Sequence, residues 1–164
     1  MRRRMAVAAT VAAIAGSAIA IGVVPSAAET APPPIAAEAL TGRAVFTDDV
    51  GLKVKVSTGG EVQVVKTTDP SRIATFRFTV QPGAQFPWHT HYGPVVVNVV
   101  QGALTLVDGA TCGERTYPAG TAFVDLGHGH VHTAFNPGTT ETILVATFFE
   151  LPESASPLIP TVAR

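Results

Sequence analysis

Cysteine, helical periodicity and basic charge are what this sequence has least of. Cys112 is the single cysteine among 164 residues, so no disulfide can form within the chain, and we interpret it as a non-catalytic thiol. No window carries an apolar stripe of period 3.6 that is long enough for a substantial helix. The sequence also lacks a phosphate-binding glycine loop, a G-x-S-x-G elbow and an HExxH motif, so it gives no support to the enzyme classes that use them.

The first 28 residues have the pattern of a secretory signal peptide. Three arginines precede a long uncharged stretch, and the small residues Ser26-Ala27-Ala28 follow it. We predict cleavage after Ala28, a secreted protein and no stable membrane insertion afterwards; the alternative is a retained anchor, since the stretch is long enough to span a bilayer. Cleavage would leave 8 Lys+Arg against 12 Asp+Glu, so no nucleic-acid partner is expected.

The remainder of the chain divides into an arm, one domain and a tail. Residues 29–42 are rich in proline and predict a flexible, irregular arm, with at most a short turn near Ile35–Leu40. Residues 43–150 contain eight short bursts of alternating Val, Thr and Phe fenced by turn residues, which predict a single all-β domain. Residues 151–164 form a proline-rich tail that either drapes over this domain or extends freely.

All five histidines lie in two short clusters, which cover residues 89–91 and 128–132. Alternate side chains of a strand share a face, so His89 pairs with His91 and His130 pairs with His132. Neutral imidazole is a common ligand of zinc, copper, iron and nickel, and two such pairs can surround one ion from two sides. Taken alone, each pair is equally compatible with a hydrogen-bonded structural role.

The spacing around the histidines is more specific than the pairs themselves. The first cluster reads Pro82-Gly83, then His89, His91 and Gly102; the second reads Pro118-Ala119-Gly120, then His132 and Asn136. Over about residues 71–150 these patterns resemble the two motifs of the cupin superfamily, and most closely those of small, secreted, single-domain type-2 cupins. The resemblance implies a cupin-like β-barrel, or double-stranded jelly roll, with a metal ion held by His89, His91 and His132.

Two departures from the cupin pattern affect the expected metal. The glutamate that the family places four or five residues after the second histidine is replaced by Val95 and Val96, so a carboxylate ligand is missing. His130 is an additional histidine that can supply a fourth nitrogen. A histidine-only site favours zinc or iron, leaves copper open and disfavours manganese as a hard ion. Asp125 is either an acceptor for an imidazole N–H or an outward-facing loop residue.

Several further residues are candidates for a pocket beside the metal. Trp88 is the best candidate for a wall, and the other candidates are Tyr92, Asn98, Asp125 and Asn136. The valines of residues 95–100 cover both faces of their strand, which predicts a strand that is buried on both sides or pairs with a second subunit. A homodimer is therefore possible.

The sequence supports one leading function and two alternatives. The leading interpretation is a secreted, cupin-like, metal-binding barrel that binds a small molecule or anion at a histidine-only site. A metal-dependent oxygenase, isomerase or hydrolase of the cupin type is the first alternative, and the shortage of acid-base residues near the motifs counts against it. A metal-free structural or partner-binding barrel is the second.

Overall fold

The structure is a computed structural model that describes residues 34–58, 60–67, 70 and 72–162. The predicted signal peptide of residues 1–28 lies outside the described residues, so its cleavage stays a prediction. In the part of the chain that the structure describes, no helix has the length and apolar character needed to cross a membrane.

The described part of the chain consists of β-strands joined by turns, with no helix. Two five-stranded antiparallel sheets have the strand orders β1-β4-β11-β6-β9 and β12-β5-β10-β7-β8, and β2 and β3 form a separate hairpin. The strands are β1 Ile35–Ala39, β2 Leu52–Thr58, β3 Glu61–Thr67, β4 Ala74–Val80, β5 His89–Thr90, β6 Val95–Gln101, β7 Ala103–Asp108, β8 Glu114–Pro118, β9 Ala122–Asp125, β10 His132–Phe135, β11 Thr142–Phe148 and β12 Ile159–Pro160. The prediction of an all-β fold is therefore confirmed.

Both large sheets contribute apolar side chains to one core, because alternate residues of each strand point inward. In β6, Val95, Val97 and Val99 are buried. Phe78 of β4 and Phe148 of β11 meet in an edge-to-face contact with their ring centroids 6.2 Å apart, and Leu104 and Ala134 contribute from the second sheet. In the described residues the two sheets are not hydrogen-bonded into one closed barrel.

The valine-rich strand β6 is buried on one face only. Asn98 and Val100 alternate with the core valines and are exposed, with Val100 57% accessible. The prediction that both faces of this strand are covered is thus wrong for the single chain. Valine occupies exposed as well as buried positions of this strand, so the composition alone does not show which face is buried.

The described part of the N-terminal arm is ordered, which corrects the expectation of an irregular segment. Residues 35–39 form the edge strand β1, antiparallel to β4, and Ile35 lies opposite Val80. The short turn expected near Ile35–Leu40 is likewise replaced by strand. Its alanines gave no alternating pattern, and the strand is held by backbone pairing to β4 rather than by burial of its own side chains.

The C-terminal tail drapes over the domain. Leu151 is 1% exposed, and the Arg43 guanidinium donates to the carbonyls of Pro152 at 3.3 Å and Ala155 at 2.8 Å. Farther along, β12 pairs with β5, so that Pro160 lies opposite His89. The tail therefore reaches the strand that carries the first histidine.

Two glycines allow the loops of the two histidine clusters to touch. Gly93 follows the first cluster, and Gly127, with φ of 62°, follows β9. A Cβ on Gly127 would lie 2.1 Å from the carbonyl oxygen of Gly93, so only glycine fits there. Next to this contact the His128 N–H donates to the carbonyl of His91 at 3.0 Å. The contact fixes the two clusters relative to each other.

Substituting Gly127→Ala is expected to destabilise the protein well beyond the cost of its positive φ. Gly120 provides a matched control, because its φ is 83° and nothing lies within 4 Å of its Cβ position. Gly120→Ala should cost about 1–2 kcal/mol of unfolding free energy, the usual cost of a left-handed alanine. Gly127→Ala should cost clearly more in denaturant unfolding. Equal costs would show that the contact between the loops is not tight.

Candidate metal centre

The three histidines of the cupin-like motifs meet inside the protein. His89 of β5 lies directly opposite His132 of β10 in the antiparallel pairing, and His91 follows β5. The ring centroid of His132 is 4.3 Å from that of His89 and 5.2 Å from that of His91. One ring nitrogen from each residue lies within 4.8 Å of the others, and all three side chains are buried. We call these residues the histidine triad.

Backbone carbonyls fix the tautomers of two of these rings. The Nδ1 atom of His89 lies 2.7 Å from the carbonyl oxygen of Pro87, and Nδ1 of His91 lies 2.8 Å from that of Pro157. A carbonyl only accepts, so each Nδ1 carries the proton and each Nε2 keeps its lone pair. Metal-ligating histidines are held in this way in many proteins.

Burial keeps the triad neutral. Desolvation lowers the pKa of His89 to about 4 and that of His132 to about 4, and the neighbouring imidazoles act in the same direction. It also lowers the pKa of His91, despite the opposing charge of Asp125 and the Pro157 carbonyl. At neutral pH the rings are therefore in the unprotonated form that metals bind.

The triad faces a small apolar cavity of about 50 Å³. Aromatic and aliphatic side chains make up most of its wall, and among the described residues Asp125 supplies the one carboxylate. Leu158 of the tail contributes to the wall too, so the tail covers the cavity. The aromatic and aliphatic members are Phe78, Phe86, Val95, Val97, Leu104, Leu106, Phe123, Ala134, Leu144, Ala146, Phe148 and Leu158.

Comparison with known proteins identifies the fold. The structure is similar to KdgF from a Halomonas species, with a TM-score of 0.50 and 16% identity over 76% of this chain and 88% of that one. It is also similar to the cupin-2 domain of an XRE family transcriptional regulator from Enterobacter cloacae, with a TM-score of 0.45 and 14% identity over 73% and 99% of the two chains. The chain has a cupin fold. The fold that the resemblance implied is therefore confirmed, as a fold alone.

Other matches are partial. The chain spans 61% of the length of the polyketide cyclase RemF from Streptomyces resistomycificus, at 17% identity and a TM-score of 0.46. It spans 51% of a putative sugar phosphate isomerase from Acidithiobacillus ferrooxidans, at 21% identity and a TM-score of 0.43. No family model matches the sequence, and no curated protein matches it at a significant level.

A carboxylate enters the cavity from β9, the strand that pairs with β6, and not from β6 itself. Val95, at a position where the family's glutamate was expected, lines the cavity and pairs across β6 and β9 with Asp125. The Asp125 side chain is 1% exposed, so its inward-facing interpretation is the one that the structure shows. One carboxylate oxygen, Oδ1, accepts the Gly127 N–H at 2.8 Å, and the other, Oδ2, faces His130 and His132.

His130 lies outside the histidine triad, between two carboxylates. Its Nδ1 is 2.5 Å from Asp125 and its Nε2 is 2.8 Å from Asp108. Hydrogen bonding to Asp125 raises the pKa of His130 to about 9, although burial opposes this. Burial opposes ionisation of Asp108 too, but hydrogen bonds from His130 and Thr111 outweigh it and lower the Asp108 pKa to about 2. The structure thus does not bring His130 to the triad as a fourth nitrogen.

Four of the five predicted pocket residues do not line the cavity, and Asp125 is the one that does. Trp88 is half-buried, with its carbonyl accepting the Thr161 N–H at 2.9 Å. Tyr92 is 40% exposed, and Asn98 points outward because it alternates with Val97 and Val99. Asn136 is buried, but its amide donates to the carbonyls of Val80 and Thr140.

The contact of Asp108 with His130 could not be predicted from the sequence. Asp108 stands before a glycine at the end of β7 and reads as an ordinary turn residue. Its Oδ1 does serve that turn, by accepting the N–H groups of Ala110 and Thr111. Only the pairing of β7 with β10, which places Asp108 opposite His132, brings its Oδ2 to His130.

The free energy of unfolding of the metal-free cupin is expected to be greatest near pH 6.5. Between pH 4 and 6.5 the unfolded chain binds protons on His89 and His132 that the folded chain does not, so stability rises with pH. Between pH 6.5 and 9 the folded chain keeps the His130 proton that the unfolded chain loses, so stability falls. Urea unfolding in the presence of a chelator measures both limbs.

His130→Gln should remove the alkaline limb of this profile and leave the acid limb in place. A wild-type protein whose stability continued to rise between pH 6.5 and 9 would contradict the assigned ion pair of His130 with Asp125.

Proposed function

We propose that this cupin holds a divalent metal ion on His89, His91 and His132 and binds a small ligand at that ion. One observation supports it most: three buried imidazoles meet with a ring nitrogen of each within 4.8 Å of the others. Two of them keep Nε2 unprotonated through backbone carbonyls. Lone pairs that converge in an apolar cavity suit a cation, so the residues fit the metal that the fold implies.

The donor set favours zinc or iron as the ion. Three neutral nitrogens bring no negative charge, which disfavours hard ions such as manganese, while zinc, iron and copper accept imidazole readily. A three-histidine site also leaves a coordination position open. When bound, the ion would act as a Lewis acid toward water, hydroxide or a small anion.

The size of the cavity supports a very small ligand. About 50 Å³ is room for roughly three to five water molecules, at about 10–15 Å³ of accessible space for each. A larger molecule would require Leu158 and the tail to move away. Apolar walls around an open metal position favour a compact anion or a diatomic molecule over a sugar or a nucleotide.

Binding is favoured over catalysis by the scarcity of proton-transfer groups at the cavity. Apart from the triad, Asp125 is the only ionisable residue among the described residues that line it. Its carboxylate already accepts from Gly127 and His130. A metal-dependent oxygenase, isomerase or hydrolase remains the alternative, because a cupin fold alone does not select a chemistry. Export to the outside of the cell and homodimer formation stay predictions.

The double substitution His89→Ala, His91→Ala is expected to lower the zinc or iron content by one equivalent per chain. It removes two of the three nitrogens, and a lone His132 cannot hold the ion against dialysis. Plasma emission spectrometry on dialysed protein measures the loss. His128→Ala is the matched control, because the side chain of His128 is exposed and contacts Glu150, while its backbone bond to His91 is kept in the variant. Equal metal content in the double variant and the wild type would refute the proposal.

Restoring a carboxylate with Val95→Glu is expected to shift the metal preference toward manganese by about tenfold or more, because an anionic oxygen suits hard ions. The metal-free variant should lose about 3–5 kcal/mol of stability, since a second carboxylate is then buried opposite Asp125. Competitive titration of zinc against manganese measures the shift. Val100→Glu is the control on the exposed side of β6. An unchanged preference would show that position 95 does not reach the ion.

A further inference from the structure

A second group of potential ligands lies next to the histidine triad. Asp125, His130 and His132 each offer one ligand atom, and these atoms lie within 4.8 Å of one another. Oδ2 of Asp125 is 2.5 Å from Nδ1 of His130 and 3.2 Å from Nδ1 of His132. The side chains of Asp125 and His132 are 1% and 5% exposed. The group is therefore built into the protein and is not a chance cluster of surface charges.

The Nδ1 atom of His132 is the unusual member of this group. The corresponding atoms of His89 and His91 each have a carbonyl partner, whereas Nδ1 of His132 is buried without a hydrogen bond. Asp125 Oδ2 is near enough at 3.2 Å, but it lies off the direction that a hydrogen bond requires. Leaving a buried polar nitrogen without a hydrogen bond is unfavourable, so a missing partner is to be expected at this position.

We propose that Asp125, His130 and His132 form a second divalent-cation site, in which His132 binds this ion through Nδ1 and the triad's ion through Nε2. The imidazole of His132 would then bridge two metal ions. The second site has its own ligands in Asp125 and His130, so it does not depend on occupancy of the triad.

The distances fit such an ion. Two ligands of a tetrahedral zinc, each bonded at about 2.0–2.1 Å, are roughly 3.3 Å apart. The 3.2 Å between Asp125 Oδ2 and His132 Nδ1 is already close to this value. His130 needs to move back by less than about 1 Å from its present 2.5 Å contact. Its ring is only partly buried, with 32% of the side chain exposed, so that movement is open to it.

The charges fit as well. Asp125 and Asp108 bring two carboxylates to this corner of the protein, and His130 lies between them with one ring nitrogen in contact with each. A divalent cation at Asp125 would replace the proton on Nδ1 of His130, and the bridging role would release the proton from Nδ1 of His132. Both protons would pass to solvent, as metal binding to protonated ligands requires.

The second site has its own route to solvent. A groove of about 710 Å³ runs along Asp108, Asp125 and His130 and is bounded on the far side by the β2–β3 hairpin. Its charged wall residues include the acids Glu61 and Glu114 and the bases Lys55 and Arg115. With Asp108 and Asp125, the acids outnumber the bases, so the groove attracts cations. The triad instead faces the apolar cavity on the other side of His132.

Metal stoichiometry tests the proposal. Protein saturated with zinc and then dialysed should contain two equivalents per chain in the wild type and one in His130→Gln. It should contain one in His89→Ala, His91→Ala, and none when all three substitutions are combined. Asp108→Asn is the matched control: Asp108 contacts His130 but is not a ligand, so this variant should keep two. Circular dichroism and urea unfolding establish that each variant is folded.

A spectroscopic signature tests the bridge. Two Cu(II) ions that share one imidazolate ring couple magnetically, so the copper-loaded wild type should show a strongly reduced electron paramagnetic resonance signal. Folded His130→Gln should show the full signal of one isolated Cu(II). If the wild type and His130→Gln each contain one equivalent of zinc per chain, the proposal of a second site is overturned. A different outcome is a wild type with one equivalent of zinc that His130→Gln removes and His89→Ala, His91→Ala leaves in place. That result would refute the proposed function, because the triad would hold no ion, and it would support the second site.

Discussion

Each buried imidazole of this protein needs a partner for its ring N–H, and this requirement organises the site. Pro87 supplies the carbonyl for His89, and Pro157, from the tail, supplies the one for His91. Both rings consequently turn Nε2 inward, toward the cavity. Nδ1 of His132 neither accepts nor donates a hydrogen bond and lies 3.2 Å from the Asp125 carboxylate instead. The three histidines thus look alike in the sequence but differ in what stands behind them, and that difference separates the triad from the group around Asp125.

An apolar residue and a carboxylate face each other within one pair of strands at the cavity. Val95 and Asp125 lie opposite each other, and both side chains point into the cavity. The Asp125 carboxylate on β9 reaches His130 and His132, whereas the β6 side next to Val95 is apolar. The wall of the cavity therefore contains both the neutral histidine triad and the carboxylate of Asp125.

Sequence reasoning identified most strands and the triad, because both depend on local spacing. The period of two predicted the eight main strands, and the H-x-H spacing placed His89 and His91 on one side. Trp88, Tyr92 and Asn98 were expected to line the pocket but do not line the cavity. Residues that are near a histidine along the strand can point to the opposite face. Asp108 and the Pro157 carbonyl were out of reach, since they arrive through pairing and packing of distant segments.

The tail has a consequence for the timing of assembly. A ribosome makes Pro157 and Leu158 after every one of the strands β1 to β11, yet Pro157 sets the tautomer of His91 and Leu158 closes the cavity. An ion that met the growing chain early would find the imidazole of His91 free to present either nitrogen. The tautomer of His91 and the part of the cavity wall that Leu158 contributes are therefore set only once the last segment has docked.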